Sequence, residues 1–231
     1  SAVLFTPAPA MRLRANQNRD TPLPPEEPVA ENPPTGAFID YWLAHDANTA
    51  LQIEIRNHSG ALVRSFSSDE APAKLKAERY FAAGWALPAT TPAASAGAHR
   101  WVWDLRAARP KAPGYEYSIA AVWGRDTPIV PQGMLVLPGE YRVTLRVDGH
   151  EYSAALPVWP DPRVSFDPGA AAAALELARA TQISLARLAD ASLEVGYLED
   201  QLKAAESHLP AQGASASARA AIAAVRKQLD P

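Results

Sequence analysis

Residues 138–159 read PGEYRVTLRVDGHEYSAALPVW, and this stretch decides the fold. A Pro-Gly turn dipeptide opens it, and apolar and polar residues then alternate from Tyr141 to Val147, which is the period of a half-buried strand. Asp148-Gly149 is the pair favoured at a two-residue type I′ turn, and the alternation resumes after it. The stretch therefore predicts an amphipathic β-hairpin whose apolar face must be covered by a second sheet or a helix.

Alternating patterns elsewhere predict further strands, at residues 37–43 (AFIDYWL), 50–56 (ALQIEIR), 61–66 (ALVRSF) and 99–106 (HRWVWDLR). Together with the hairpin they predict a mainly β fold: an immunoglobulin- or fibronectin type III-like antiparallel β-sandwich over residues 36–163. The side chains predicted in or beside its core are Trp101, Trp103, Tyr141, Val143, Leu145 and Leu156. Residues 37–43 carry large side chains on both faces, which predicts a strand covered on both sides. A short helix at 72–81 and an extra strand at 117–123 are compatible with the sequence.

The first 35 residues show no hydrophobic period and are rich in proline, which favours extended backbone and opposes a helix. Their composition suits a solvated linker as well as a strap lying on the surface of the sandwich. We predict the strap, because the charged pair Arg19-Asp20 would find partners on the sandwich in Asp104 and Arg106.

Residues 164–231 are predicted to form an α-helical hairpin. Asp167 followed by Pro168 is an N-cap with proline at the first helical position, and the helix should run to about Leu209. A second helix should start near Ser215. The first helix carries a heptad-like seam at Leu177, Thr181, Ser184, Leu188, Ala191, Val195, Leu198, Leu202, Ala205 and Leu209. We expect the sandwich to cover the near end of this seam and the far end (Leu188, Val195, Leu198, Leu202) to self-associate as a homo-oligomer or to bind a partner.

Composition excludes several classes of function. The chain has 231 residues and a net charge of −3, so nothing favours nucleic acid or an anionic membrane surface. Cysteine is absent, which removes disulfides, thiolate catalysis and zinc–thiolate sites. No apolar run reaches the roughly 20 residues that a membrane span needs.

Sequence motifs for catalysis are also missing. The five histidines are scattered without metal-ligand spacing, and there is no nucleophile elbow, P-loop or dinucleotide fingerprint. We therefore predict no enzyme activity, no catalytic residue, no metal and no cofactor. Exposed aromatic rings in the long loops would suit a carbohydrate-binding module, and the candidate contacts are Trp85, Tyr115, Tyr117 and Trp123.

Several segments of the sequence, taken in order, resemble part of a known protein family. The segments that carry this resemblance are NRDTPLPPEEP (18–28), ENPPTGAFIDYWL (31–43), HRWVWDLR (99–106) and LPGEYRVTLRVDGHEY (137–152) leading to DPR (161–163). In this order they resemble the C-terminal region of bacterial BNR-repeat, sortilin-like "glycosyl hydrolases", in which β-propellers precede an immunoglobulin-like sandwich and a helical segment. The resemblance implies a periplasmic or secreted, non-catalytic accessory domain that docks on a propeller or another protein. Any hydrolase site would lie in the propeller, outside this chain.

Overall fold

The structure, a computed structural model, describes residues 1–13, 34–70, 90–111, 132–209 and 215–229. Within these residues lie eight strands and two helices: β1 (Ala2–Leu4), β2 (Ala10–Arg12), β3 (Ala37–Leu43), β4 (Gln52–Asn57), β5 (Leu62–Ser67), β6 (Gly97–Trp103), β7 (Gly139–Val147), β8 (His150–Pro160), α1 (Pro168–Ser207) and α2 (Ser215–Leu229). The mainly β chain with C-terminal helices is thus confirmed. The elements predicted at 72–81 and 117–123 lie outside the described residues.

The β-hairpin predicted over residues 138–159, which we call the central hairpin, forms as predicted. Strands β7 and β8 pair antiparallel in a continuous register from Gly139↔Val158 to Val147↔His150. Asp148 and Gly149, at the turn, have φ values of 48° and 76°. A type I′ turn requires positive φ at both central residues, so the sequence prediction of the turn is confirmed.

Two sheets are present among the described residues. The three-stranded sheet has the order β1-β3-β6, and the five-stranded sheet has the order β2-β8-β7-β4-β5. All pairs are antiparallel except β2 and β8, which run parallel with Ala10 beside Val158. Within the described part of the predicted sandwich region, residues 36–163, all strand pairs are antiparallel, and the parallel pair arises because β2, which lies before that region, joins its sheet. The segment between β1 and β2 contains Pro7 and Pro9, which favour extended backbone and oppose a helix.

The first residues of the chain belong to the sheets. Strand β1 pairs with β3 along one sheet edge, and β2 pairs with β8 along the edge of the other sheet. Most of the predicted strap, residues 14–33, lies outside the described residues, so the strap over 1–35 stays a prediction.

Both sheets contribute to one hydrophobic core. Its largest fully buried side chains are Ile39, Tyr41, Leu51, Ile53, Ile55, Trp103, Leu105, Val143, Leu145, Leu156 and Val158. Of the predicted core residues, four are buried, and Trp101 and Tyr141 pack against the cluster in half-buried positions. That prediction is confirmed.

The chain divides into two compact units. The first comprises Ser1–Arg109 with Tyr115–Arg179 and contains both sheets and the start of α1. The second comprises Pro110–Gly114 with Ala180–Pro231 and contains the rest of α1 and α2. The predicted domain boundaries after residues 35 and 163 stay predictions.

Helix α1 starts as the sequence predicts. The Asp167 carboxylate accepts hydrogen bonds from the backbone N–H groups of Gly169 and Ala170 at 2.8 and 3.1 Å, which satisfies two of the donors that a helix N-terminus leaves free. The helix has 40 residues and is therefore about 60 Å long. Helix α2 begins at Ser215, as predicted, and an ion pair of 3.1 Å between Arg226 and Glu206 joins it to α1.

The face that α1 buries differs from the predicted seam in the first half of the helix. The half-buried positions in this half are Ala171, Leu175, Ala178, Gln182, Leu185 and Ala186, and Ala189 just beyond them is fully buried. Leu177, by contrast, is 70 % exposed, so the expectation that the sandwich covers the near end of the seam is wrong.

Candidate functional site

The outer face of the three-stranded sheet exposes a set of large side chains. Along β3, Ile39, Tyr41 and Leu43 point into the core and are buried, while the alternate residues point away from it. We call this surface the outer sheet face; its members are Val3, Phe5, Phe38, Asp40, Trp42 and Arg100. Trp42 is 38 % exposed, so the sequence expectation that β3 is covered on both sides is wrong for this residue.

Strand register brings these residues together from three separate segments. Trp42 lies between Val3 on β1 and Ala98 on β6. In the next row, Asp40 pairs with Arg100, and the Phe5 N–H donates to the Asp40 carbonyl at 3.0 Å. Neighbours in such rows have Cβ atoms about 5 Å apart, and large side chains also reach their diagonal neighbours. Val3 and Phe5, 42 % and 50 % exposed, therefore flank Trp42 and Asp40.

An ion pair occupies the centre of the outer sheet face. The Arg100 guanidinium donates two hydrogen bonds to the Asp40 carboxylate, both of 2.7 Å, and lies 4.9 Å from the centre of the Phe38 ring. Hydrogen bonding from Arg100 lowers the pKa of Asp40, so this carboxyl is ionised at neutral pH. Because the Arg100 side chain is 59 % exposed and the Asp40 side chain 39 % exposed, solvent screens the pair and its contribution to stability is small. It does hold two planar charged groups in fixed positions among apolar neighbours.

Contacts beneath this face fix the segment that leads into β6. The Tyr41 hydroxyl donates to the Ala93 carbonyl at 2.7 Å, and burial raises the pKa of Tyr41 to about 12. The Ala96 N–H donates to the Asp46 carboxylate at 2.7 Å. Tyr41 is therefore a neutral structural group, and these contacts hold Arg100 in register with Asp40.

The tip of the central hairpin lines a small cavity of about 210 Å³ that also includes His45 and His150. Its carboxylate, Asp148, accepts hydrogen bonds from the backbone N–H groups and side chains of Asn48 and Thr49 at 2.9–3.3 Å. Desolvation opposes ionisation of this carboxyl, yet the four hydrogen bonds lower the pKa of Asp148. Asp148 therefore joins the tip of the hairpin to the segment at Asn48 and Thr49.

A wider cleft of about 420 Å³ runs beside β5. Leu62, Met134, Leu137, Leu175 and the turn residue His58 contribute to its lining. In neither this cleft nor the rest of the described chain do three or more His, Asp or Glu side chains group in a way that could hold a metal ion.

The residues predicted from the sequence have mixed outcomes. Trp85, Tyr115, Tyr117 and Trp123 lie outside the described residues, so the loop-aromatic ligand site stays a prediction. On α1, Leu188 and Leu198 are 61 % and 40 % exposed, while Val195 and Leu202 are half-buried. Asp104 accepts from the Arg106 N–H at 3.1 Å, and the Arg106 guanidinium donates to the Gly133 carbonyl at 2.9 Å, so these two residues fix a loop.

Sequence reasoning missed the outer sheet face as a site. A signal was present in β3, where Phe38, Asp40 and Trp42 share one face. Arg100 and Phe5 could not be added to it, because neither the β1–β3 pairing nor the β3–β6 register can be read from the sequence.

Comparisons with protein-family models, curated proteins and solved structures find no match for this chain. The helices that the structure describes include none with the length and apolar character needed to cross a membrane.

Proposed function

We propose that this chain is a non-catalytic interaction module that docks on a protein partner through its outer sheet face. Its scaffold would be an immunoglobulin- or fibronectin type III-like sandwich, which is supported by two sheets that share one core. The parallel β2–β8 pair is a departure from that fold type. A β-propeller is the partner that the sequence resemblance favours.

The proposal rests on one observation: exposed apolar side chains form a contiguous patch beside an ion pair. Single exposed hydrophobic residues are normal on soluble proteins, whereas a contiguous patch marks an interaction surface. Val3 on β1, Phe5 just after it and Trp42 on β3 lie next to the Asp40–Arg100 pair. Tryptophan and arginine are enriched among the residues that contribute most to binding energy in protein interfaces.

Rigidity supports the same proposal. Each outward-facing residue of β3 is flanked by buried residues, because Ile39, Tyr41 and Leu43 pack into the core on the opposite face of the strand. A surface built on a sheet loses little conformational freedom on binding, so more of the contact energy appears as affinity.

Site-specific photo-crosslinking tests the proposal in the cells from which the protein comes. A benzophenone amino acid replaces Trp42, and a second version carries it at Leu62, which is 53 % exposed on the other sheet. We expect one recurrent protein adduct at position 42, absent at position 62 and lost when Phe5→Ser is added. Equal adducts at both positions, or none at position 42, would contradict docking through this face.

Carbohydrate binding is the second candidate function. Phe5 and Trp42 present exposed rings beside Asp40 and Arg100, and sugars stack on aromatic rings while their hydroxyl groups bind planar charged side chains. Binding to a panel of immobilised polysaccharides, compared between the native chain, Trp42→Ser and the control Leu62→Ser, tests it. Retention of the native chain and of the control but not of Trp42→Ser would favour this function over protein docking.

A further inference from the structure

One face of α1 carries a regular apolar repeat that the structure leaves at the surface. We call Ser184, Leu188, Ala191, Val195 and Leu198 the α1 seam. Their spacing alternates steps of four and three, which places them on one helix face. Leu188 and Leu198 are 61 % and 40 % exposed, and Val195 is half-buried. The Ser184 hydroxyl donates to the Ala180 carbonyl of its own helix at 3.1 Å, so it brings no unsatisfied polar group to the seam.

Two opposite charges occupy equivalent positions beside the seam. Arg187 precedes Leu188 and Glu194 precedes Val195, so the two charges are seven residues apart along the same edge. Both side chains are exposed. The ion pairs of the described part of α1 involve other residues, such as Arg179 with Glu176 and Lys203 with Asp200.

The position of these charges selects one arrangement of two helices. In a parallel pair, each would face the residue five positions further along the partner helix, which places Glu194 beside the partner's Glu199. Like charges in that position are unfavourable. In an antiparallel pair the same edges face each other, and Arg187 meets the partner's Glu194 twice, once on each side of the two-fold axis. Charge complementarity therefore favours the antiparallel arrangement.

We propose that α1 binds α1 of a second copy of this chain, antiparallel, with the two-fold axis between Leu188 and Ala191. Leu188 then packs against the partner's Ala191, and Val195 packs against the partner's Ser184. Each layer places a large side chain opposite a small one, which lets the two backbones approach and the side chains interdigitate. The distribution of charge agrees, because residues 180–188 carry Arg187 as their only charge and residues 189–207 carry five acidic residues and one lysine.

The contact is short. With Leu198 opposite the partner's Thr181, it spans residues 181–198, or about 26 Å of helix, so we expect a reversible, concentration-dependent dimer instead of an obligate one. This interface is separate from the outer sheet face, and each can fail without the other.

Sedimentation velocity on the full chain over a range of concentrations tests the dimer. Arg187→Glu or Glu194→Arg alone replaces two attractive pairs by two repulsive ones and should weaken dimerisation about tenfold or more. The double variant Arg187→Glu/Glu194→Arg restores both pairs and should recover the native affinity. An equimolar mixture of the two single variants should form a heterodimer. Lys203→Glu, which reverses a charge away from the seam edge, is the matched control and should leave the dimerisation affinity unchanged.

Disulfide trapping tests the direction, since the native chain contains no cysteine. A mixture of the Ser184→Cys and Val195→Cys chains should oxidise to the mixed disulfide in preference to either homodimer. A Ser184→Cys homodimer as the main product would show a parallel pair and overturn the proposal. A chain that stays monomeric at every concentration, or a dimer that the double variant does not restore, would overturn it as well.

Discussion

Trp103 offers the sharpest test of the core. Its side chain is fully buried, and its ring packs edge-on against Tyr141 with ring centres 5.6 Å apart. The indole N–H donates to the Arg106 carbonyl at 2.8 Å, so the same side chain also fixes the turn that leaves β6. Trp103→Ala would remove the ring and leave that carbonyl without its donor.

The expected loss in the free energy of unfolding is about 3–5 kcal/mol for the ring, which corresponds to a fall in Tm of roughly 6–20 °C in a protein of this size. Urea unfolding followed by tryptophan fluorescence and by circular dichroism measures it. Trp159→Ala is the matched control, because Trp159 is 50 % exposed and its loss should stay within about 0.5 kcal/mol. The loss in the free energy of unfolding for Trp103→Phe should lie between those for Trp103→Ala and Trp159→Ala. If Trp103→Ala unfolded at the same urea concentration as the native chain, the assignment of a shared core would be refuted.

Two further predictions concern backbone and pH. Gly36 has φ +144°, and a Cβ there would lie 2.2 Å from the Trp103 carbonyl oxygen, so Gly36→Ala should lower the free energy of unfolding by more than about 1 kcal/mol. Gly196→Ala, where a Cβ meets nothing within 4 Å, should raise it by up to about 1 kcal/mol; equal effects of the two in thermal melts would contradict this reasoning. Because the pKa of Asp148 is lowered from 3.8 in the folded state, its contribution to stability is complete above that value and is lost as the pH falls below it. In Asp148→Asn, the free energy of unfolding should therefore change less between pH 7 and pH 3 than it does in the native chain. An equal change in both proteins would show that the hydrogen bonds of Asp148 do not stabilise the fold through its charge.

Local sequence patterns were sufficient to predict the elements that are determined by residues close together in the sequence. The central hairpin is specified by strict alternation and by an Asp-Gly pair that accepts positive φ at both positions. The start of α1 is likewise specified by Asp167 and Pro168, whose effects act within one helical turn. In both cases the determining residues and the structure they determine are neighbours in sequence, so no tertiary information was needed.

The N-terminal strands and the candidate site could not be predicted for the opposite reason. Strands β1 and β2 have three residues each, too few to show a period of two. They are strands because the exposed backbone edges of β3 and β8 offer them hydrogen-bond partners. The outer sheet face depends on the same long-range pairing, since Phe5 reaches Asp40 only after β1 has paired with β3.

Helix α1 shows what hydrophobic periodicity can and cannot specify. The repeat predicted the helix and its length, because spacings of three and four residues place side chains on one face whatever covers that face. It did not reveal which face this chain would cover itself, since Leu175, Leu185 and Ala189 repeat with the same period as the seam and lie on a different side. Two repeats on one helix imply two surfaces to bury. The surface formed by Leu175, Leu185 and Ala189 is at least half-buried within the chain. The α1 seam keeps Leu188 and Leu198 exposed. Arg187 and Glu194, beside the seam, carry the charges that would orient a second copy.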